Sequence, residues 1–438
     1  MDFSFWHEQK NPVRTVANRA MPIQGFRVYT LRIGFLTAAA CCVALGQAKL
    51  PPREVADLNR EGYGALAKGG TGGRVVWVTN LKDSGEGSLR AALALKEPRI
   101  VKFKVGGVIP LKERILVQSG RVTIDGLSAA AQGGITIHGG LAFSNCEDVI
   151  VRHIRSRGGY DTLGLYGCRR VLIDHVSTAW AIDENTDVWG SHEVTLAWCI
   201  IAEGLAEGHD KGPHSMGSLQ AGGSTRVTTH HCLFTGNLDR NPIIAGPTGK
   251  PKLPLQDHRF DVINNVIYNY WNSSKFSGYT RINFMGNYFR PGPDSSLGKP
   301  EINIIPKHTE WEGVKMEPKV FVQGNLGPRR KSAEDDELAL VVIYGKANKG
   351  QKYGLYGPEA RQYIEHQPFA MPSHAQMTVQ DAKKAYTEVL AHAGAWPRDA
   401  VDARLIREVK EKKGAIGRVG PRWRKIYEEF QKKQREKK

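Results

Sequence analysis

Asp161, Asp183 and Arg240 recur at matched places along the chain: Asp161 lies seven residues after Ile154, Asp183 seven after Val176, and Arg240 eight after Cys232. Asp187 follows Asp183 by four positions, and Lys211 falls in the longer interval before Arg240. Singly, an aspartate in a turn is a solvated turn former and a lysine is ordinary surface. Gathered along one groove they are chemically different. The carboxylates of Asp161, Asp183 and Asp187, with no paired cysteine or histidine ligand, suit a hard cation that prefers oxygen, Ca2+ before Mg2+. Such a shell is incomplete, which leaves room for an acidic substrate to complete it.

Something must carry these residues to one edge, and an internal repeat does so. Short runs rich in β-branched residues recur as EDVIVRHI (147–154), RRVLIDHV (169–176), HEVTLAWC (192–199) and TRVTTHHC (225–232). Aligning Val149, Val171, Val194 and Val227 puts Ile154, Val176, Cys199 and Cys232 in a second column, with steps of 22, 23 and 33 residues. FDVINNVIYN (260–269) and TRINFMGNYF (280–289) continue the series. A strand-rich repeat of this length cannot bury its apolar face alone, whereas stacked turns share one continuous core. No Asn-Gly or Asp-Gly hairpin turn separates the runs, and no helix-period stretch supplies crossovers, so an all-β solenoid is expected over a sandwich. In it, side chains seven or eight residues past the second column emerge at one edge of successive turns.

The cysteines obey the same columns. Cys199 and Cys232 share one, Cys146 and Cys168 another. Equivalent side chains on neighbouring strands stand about 4.8 Å apart, long for a disulfide's Cβ separation, so stacked buried thiols are expected. Past residue 330 a polar stretch leads to a helical run at 379–394, which Pro397 stops. Asp399 or Asp402 can cap a following helix through Val409. These helices are expected to cover the solenoid. The organisation expected is therefore 1–48 as an N-terminal extension and signal, 49–330 as the solenoid, and 331–438 as a helical extension with a basic tail.

Residues 21–48 place Arg27 and Arg32 before an apolar run from Ile33 to Leu45 that ends in Gly46-Gln47-Ala48, a secretory signal with Met21 as a possible start. A lipid anchor at Cys41 or Cys42 is disfavoured by the poor lipoprotein signal of Ala38–Ala40. Export to the extracellular space or periplasm follows, with no stable membrane association after cleavage. The net charge of +17 suits an anionic partner, although fourteen Lys/Arg against five Glu from Arg404 onward put about half of the excess in the tail. That tail lacks interleaved stacking aromatics, which argues against nucleic acid.

The ordered motifs are more specific. DTLGLYGCRRVLIDH (161–175), STAWAIDENTDVWGSHEVTLAW, EGHDKGPHSMGSL and HHCLFTGNLDRNP (230–242) together resemble the pectate lyase family. GYGALAKGGTGGRVVWVTNL, DSGEGSLRAAL, NNVIYNYW and AGAWPRDAVDARLI are similar to its bacterial members, so the likeness runs from about Gly62 to Val409. The resemblance implies a right-handed parallel β-helix and Ca2+-dependent β-elimination of polygalacturonate, an acidic polysaccharide, by a monomer. Carried over by position, it implies Asp161, Asp183 and Asp187 as calcium ligands, with Glu184 as a substitute or addition. Arg240, in RNP, becomes the base. Lys211, in HDK, meets a substrate carboxylate, with His214 as a further substrate contact. Asp174 and His175 are expected to support a turn. Calcium and Lys211 on the uronate carboxylate would stabilise charge developing as the C5 proton leaves, after which the C4 oxygen departs. Arginine ordinarily stays protonated, so a clamp role for Arg240 stands beside the base role.

One departure is visible. Many members carry a second arginine three residues after the motif proline, where this chain has Ala245; Arg259 or Lys250 is the candidate replacement. Two other functions remain open on sequence: a polygalacturonase-type hydrolase and a non-catalytic solenoid that grips acidic glycan. The first needs a facing carboxylate pair, and Asp183 and Glu184, adjacent in a strand, would point opposite ways.

Overall fold

In the computed structural model, the valine column is an actual ladder: Val149, Val171, Val194 and Val227 are paired in parallel register. The ladder continues through Phe260 and Ile282 downstream and Val122 upstream. The structure describes residues 57–210, 212–295, 300–307, 309–344 and 355–420, with isolated positions beyond. Lys211 and the signal segment lie outside the described residues. The described chain falls within the compact unit Ala48–Lys438.

Its strands form three parallel sheets wound as a right-handed parallel β-helix. The first sheet runs from Arg74–Val78 to Lys319–Gln323, the second from Gly107–Pro110 to Tyr288–Arg290, and the third from Ile115–Val117 to Val341–Ile343. Upstream of the visible repeat, strands at Arg74–Val78, Arg99–Phe103 and Val122–Asp125 carry the coil within the solenoid span expected; the helix Leu89–Ala94 (α1) and a 3-10 turn interrupt the spacing there. At the other end, Val341–Ile343 pairs with Ile302–Ile305, so the coil passes the boundary expected at 330.

One apolar core fills the bore from Val78 to Tyr363. The second column turns each coil from the first sheet into the second. Cys199 N–H points to Cys232 Sγ at 3.4 Å, and Cys232 N–H donates to Asn265 Oδ1 at 2.9 Å. From there the column becomes an asparagine ladder, Asn265 to Asn287 to Asn325, with amide bonds of 3.0 and 2.9 Å. Cys146, Cys168, Cys199 and Cys232 are free, buried thiols. Outside this corner, His153, His175, Trp198 and His231 stack as a column of rings, with centroids 4.3–5.9 Å apart. Each adopts positive φ, the bend that lets the chain turn. Asp174 holds His175 Nδ1 at 2.8 Å and accepts from Asn59 N–H, so this pair does support a turn.

Two outer faces are covered. The segment 59–70 lies on the first sheet, where Tyr63 and Gly64 N–H donate to Thr228 and Thr195 hydroxyls. A Cβ at Gly64 would stand 2.2 Å from the Val171 carbonyl, so only glycine allows this approach. The second sheet is covered by helices Ala382–His392 (α2) and Ala400–Glu411 (α3), whose Val389, Leu390, Leu405, Ile406 and Val409 pack on Ala179, Ile200, Leu233 and Val266. Each fully buried Leu, Ile or Val contributes about 1.5–3 kcal/mol. Asp399 is the α3 cap, accepting from Val401 and Asp402 N–H. Asp402 instead reaches inward to Arg157 at 2.8 Å and Ser177 at 2.7 Å.

Candidate functional site

The edge anticipated from the repeat is the corner where each coil leaves the second sheet for the third. Asp161 follows Ile154–Arg157, Asp183 follows Ser177–Ala179, and Arg240 follows Leu233–Thr235. Adjacent coils are pinned there by one backbone and one side-chain bond: Asp183 N–H donates to Tyr160 O at 2.8 Å and Glu184 N–H to Asp161 Oδ1 at 3.1 Å. Beneath runs a ladder of buried amides. Asn185 donates to Asn237 Oδ1, Asn237 to Asn241 Oδ1, and Asn241 to the Asn272 carbonyl, at 3.1, 3.1 and 3.0 Å. It fixes the height at which Glu184 and Arg240 leave the corner.

Three carboxylates converge at this corner, and Glu184, expected from sequence as a substitute or addition, is one of them. Asp161, Glu184 and Asp187 are buried, and one oxygen of each lies within 4.8 Å of the others. Asp183, the other candidate from sequence, is not in this group. Asp183 and Glu184 are consecutive at the entry to the strand Glu184–Trp189, so their side chains diverge. Asp183 turns toward His209 and His214. The converging donors are all carboxylate oxygens, which fits a hard cation; Ca2+ takes about six to eight oxygens, so positions remain for substrate and water.

The carboxylates are held by cations and a phenol. Tyr166 O–H donates to Asp161 Oδ2 at 2.8 Å, and Arg114 Nη1 stands 3.5 Å from that oxygen and 3.2 Å from the phenol. Arg240 Nη1 is ion-paired with Glu184 Oε1 and lies 4.0 Å from Asp183 Oδ1. Arg240 is 8% exposed, and its backbone has φ +62°. Burial lowers its pKa from the ordinary arginine value, while Asp183 and Asp161 act in the opposite sense. Behind it, Asp239 accepts from Arg240 N–H at 2.6 Å and pairs with Lys275 Nζ at 2.5 Å.

His214 is at this corner, buried beside Asp183. Arg259 is not. It opens the strand Arg259–Ile263 of the first sheet, where its guanidinium lies 5.0 Å over Phe369 and donates to Gln256 O. The chain has turned another corner by then, which separates it from the acidic cluster. Lys250 is exposed in the loop after Ala245. Ala245 itself packs with Trp189, Leu219, Ala221 and Ile243 in an apolar shelf on the third sheet. That shelf is continuous with the site, because Asp187 is the register neighbour of Leu219, and Leu219 of Ile243.

Arg114, Tyr160, Tyr166 and His209 were not singled out from sequence. Arg114 belongs to a coil upstream of the visible repeat. Tyr160, Tyr166 and His209 flank residues that were, and only the fold reveals that they turn inward.

No protein-family model matches the chain. Among curated proteins, it is 36% identical over 364 residues to a probable pectate lyase C of Aspergillus fumigatus, covering 80% of this chain and 76% of that one. It is 40% identical over 372 residues to a probable pectate lyase C of Neosartorya fischeri, covering 81% and 77%. Among solved structures, Jun a 1, the major allergen from cedar pollen, superposes with a TM-score of 0.52 at 18% identity over 76% of this chain and 92% of that one. A pectate lyase bound to a hexasaccharide reaches 0.50 at 13% identity, over 77% and 96%. The structural likenesses establish the coil, and the curated relatives establish more: the chain belongs to the pectate lyase family.

Proposed function

We propose that this chain cleaves polygalacturonate by calcium-assisted β-elimination, with Arg240 as the base. The observation that carries the reading is a buried guanidinium of lowered pKa beside a triad of carboxylates at one corner of the coil. Asp161, Glu184 and Asp187 would hold calcium, which supplies positive charge beside the uronate carboxylate and so stabilises charge developing at C5. Tyr166 and Arg114 keep Asp161 oriented, and the amide ladder keeps Glu184 and Arg240 in register. Arg240 takes the C5 proton; desolvation favours its neutral form, the form a base requires. Lys211 and His214 are assigned to the substrate carboxylates. The apolar shelf from Trp189 to Ala245 suits the C–H faces of sugar rings, in place of the charge many relatives carry at position 245.

Elimination is favoured over hydrolysis because Asp183 and Glu184 diverge and Glu184 engages Arg240, not a second catalytic acid. Export follows from Arg27, Arg32 and the apolar run after them; among the described residues no helix is long and apolar enough to cross a membrane. The test is incubation with polygalacturonate while ultraviolet absorbance of the 4,5-unsaturated product is followed. A rise that chelator abolishes and calcium restores is expected. New reducing ends without that absorbance would identify a hydrolase, and binding without product a glycan-gripping solenoid.

A further inference from the structure

The outer face of the first sheet poses the same burial problem at every coil, and its first two coils leave that problem unsolved. Val75, Ile100, Thr123, Ile150 and Leu172 form one outward column in parallel register. Ile150 and Leu172 are buried, packed with Leu58 and Ala67 of the segment that covers them. The cover stops at Thr123: Gly70 N–H donates to its hydroxyl at 3.0 Å, and a Cβ at Gly69 would stand 2.2 Å from the same oxygen. Upstream of it Val75 is 46% exposed and Ile100 is half-buried. Val78 fills the bore, so Trp77 points outward beside Val75, and it is 43% exposed. A bare apolar strip of this kind marks a place where something docks.

The charges around this indole are a second, independent observation. Lys102 is the register partner of Trp77, and Lys104, two positions on, sets its Nζ 5.5 Å from the ring centroid. Further along the sheet, outward cations are neutralised: Arg152 by Asp125 at 2.9 Å, Arg170 by Asp148 at 2.9 Å and Arg226 by Asp257 at 2.6 Å. Among the described residues no carboxylate pairs with Lys102 or Lys104. An indole flanked by uncompensated ammonium groups matches a polymer of acidic sugars, whose rings present apolar C–H faces and whose carboxylates accept charge-assisted hydrogen bonds. Single-stranded nucleic acid also combines stacking with charge, but it runs over a series of aromatics, and the outward neighbours of Trp77 are aliphatic or lysine.

We propose that Trp77, Lys102 and Lys104 form a secondary binding site for acidic polysaccharide, remote from the catalytic corner. The choice of polygalacturonate as the polymer rests on the reading of that corner given above. Arg74–Val78 lies three strands from Glu147–Arg152, whose coil carries Asp161, and on a different sheet from the two that meet at the corner. A polymer long enough to reach both places is held at two points. The second contact raises the effective concentration of substrate at the corner without entering the chemistry.

The full chain is run with chelator through native gels containing polygalacturonate, and its retardation is compared with that of the variants. Trp77→Ala should weaken binding about 3–10-fold, the range of one aromatic contact. Lys102→Gln together with Lys104→Gln should weaken it as well and flatten its salt dependence. Circular dichroism should be unchanged, since none of the three side chains is buried. With calcium restored, Trp77→Ala should raise KM for the polymer about 3–10-fold at native kcat, while kcat/KM for trigalacturonate, too short to reach both places, stays native. Equal retardation of Trp77→Ala overturns the proposal. So does native retardation of that variant accompanied by lost binding to anionic-lipid vesicles, to single-stranded DNA or to a second copy of the chain, each of which assigns the strip to another partner. Retardation is read without turnover, which separates the two readings: loss of retardation in Trp77→Ala with no unsaturated product from the native chain refutes the lyase alone, and product with equal retardation refutes this site alone.

Discussion

Arg240 and Glu184, from different coils, form a buried ion pair at the corner between the second and third sheets. Glu184 is also one of the triad with Asp161 and Asp187, so a single carboxylate faces both the proposed base and the proposed calcium. A cation taken up by Glu184 would compete with its hold on Arg240, which ties metal binding to release of the base.

Arg240→Ala should lower kcat by about 10²–10⁴-fold, the usual contribution of general base catalysis, with circular dichroism unchanged. Because the base works deprotonated and burial lowers its pKa, activity should rise with pH and its limb should lie on the alkaline side. Native turnover in this variant removes Arg240 from the base role.

Glu184→Gln should raise the calcium concentration for half-maximal activity at least about tenfold, equivalent to ~1.4 kcal/mol. The same substitution at Asp183 should change it less, because Asp183 turns to the histidines. Calcium titration of both variants distinguishes the two carboxylates; a larger effect at Asp183 would restore the ligand set expected from sequence.

Acid should destabilise the fold well above the carboxylate range. Burial pushes His231 from 6.5 down to about 4, with Gln380 acting weakly the other way, and burial lowers His230 further in the same direction. The folded pKa is below the unfolded one, so unfolding takes up protons: stability is full above about pH 6.5 and declines toward pH 4. For His231 the loss is on the order of 3 kcal/mol. Urea midpoints across that range should fall, and the slope should flatten in His231→Gln.

Asp402→Ala should destabilise by about 3–5 kcal/mol, because it leaves Arg157 and Arg155, both nearly inaccessible, without a buried counter-charge. Thermal unfolding measures this. Asp399→Ala should cost less, since Asp399 is at the rim, where solvent screens its ion pairs with Arg157 and Arg155 and its cap is the main loss.

The coil was legible in the sequence because each turn repeats the same burial problem. A valine recurring after 22, 23 and 33 residues, and a second column five residues later, are enough to set the register and predict stacked cysteines. That same register carried Asp161, Asp183 and Arg240 to one corner before any coordinates were needed. Helices α2 and α3 were readable as a cover on the solenoid; that they dock on the second sheet was decided by the fold.

Which carboxylate faces which partner was not legible, because it depends on side-chain direction at a strand entry, not on spacing. Asp183 and Glu184 are neighbours in sequence, yet one meets histidines and the other meets Arg240 and the triad. Arg114 reaches Asp161 only because coils far apart in the chain stack at strand spacing, Tyr166 reaches it from the end of the strand that follows, and Arg259 misses the site because a further corner intervenes. A repeat specifies how far along the chain each residue recurs; which way it points is decided by the bends between the sheets.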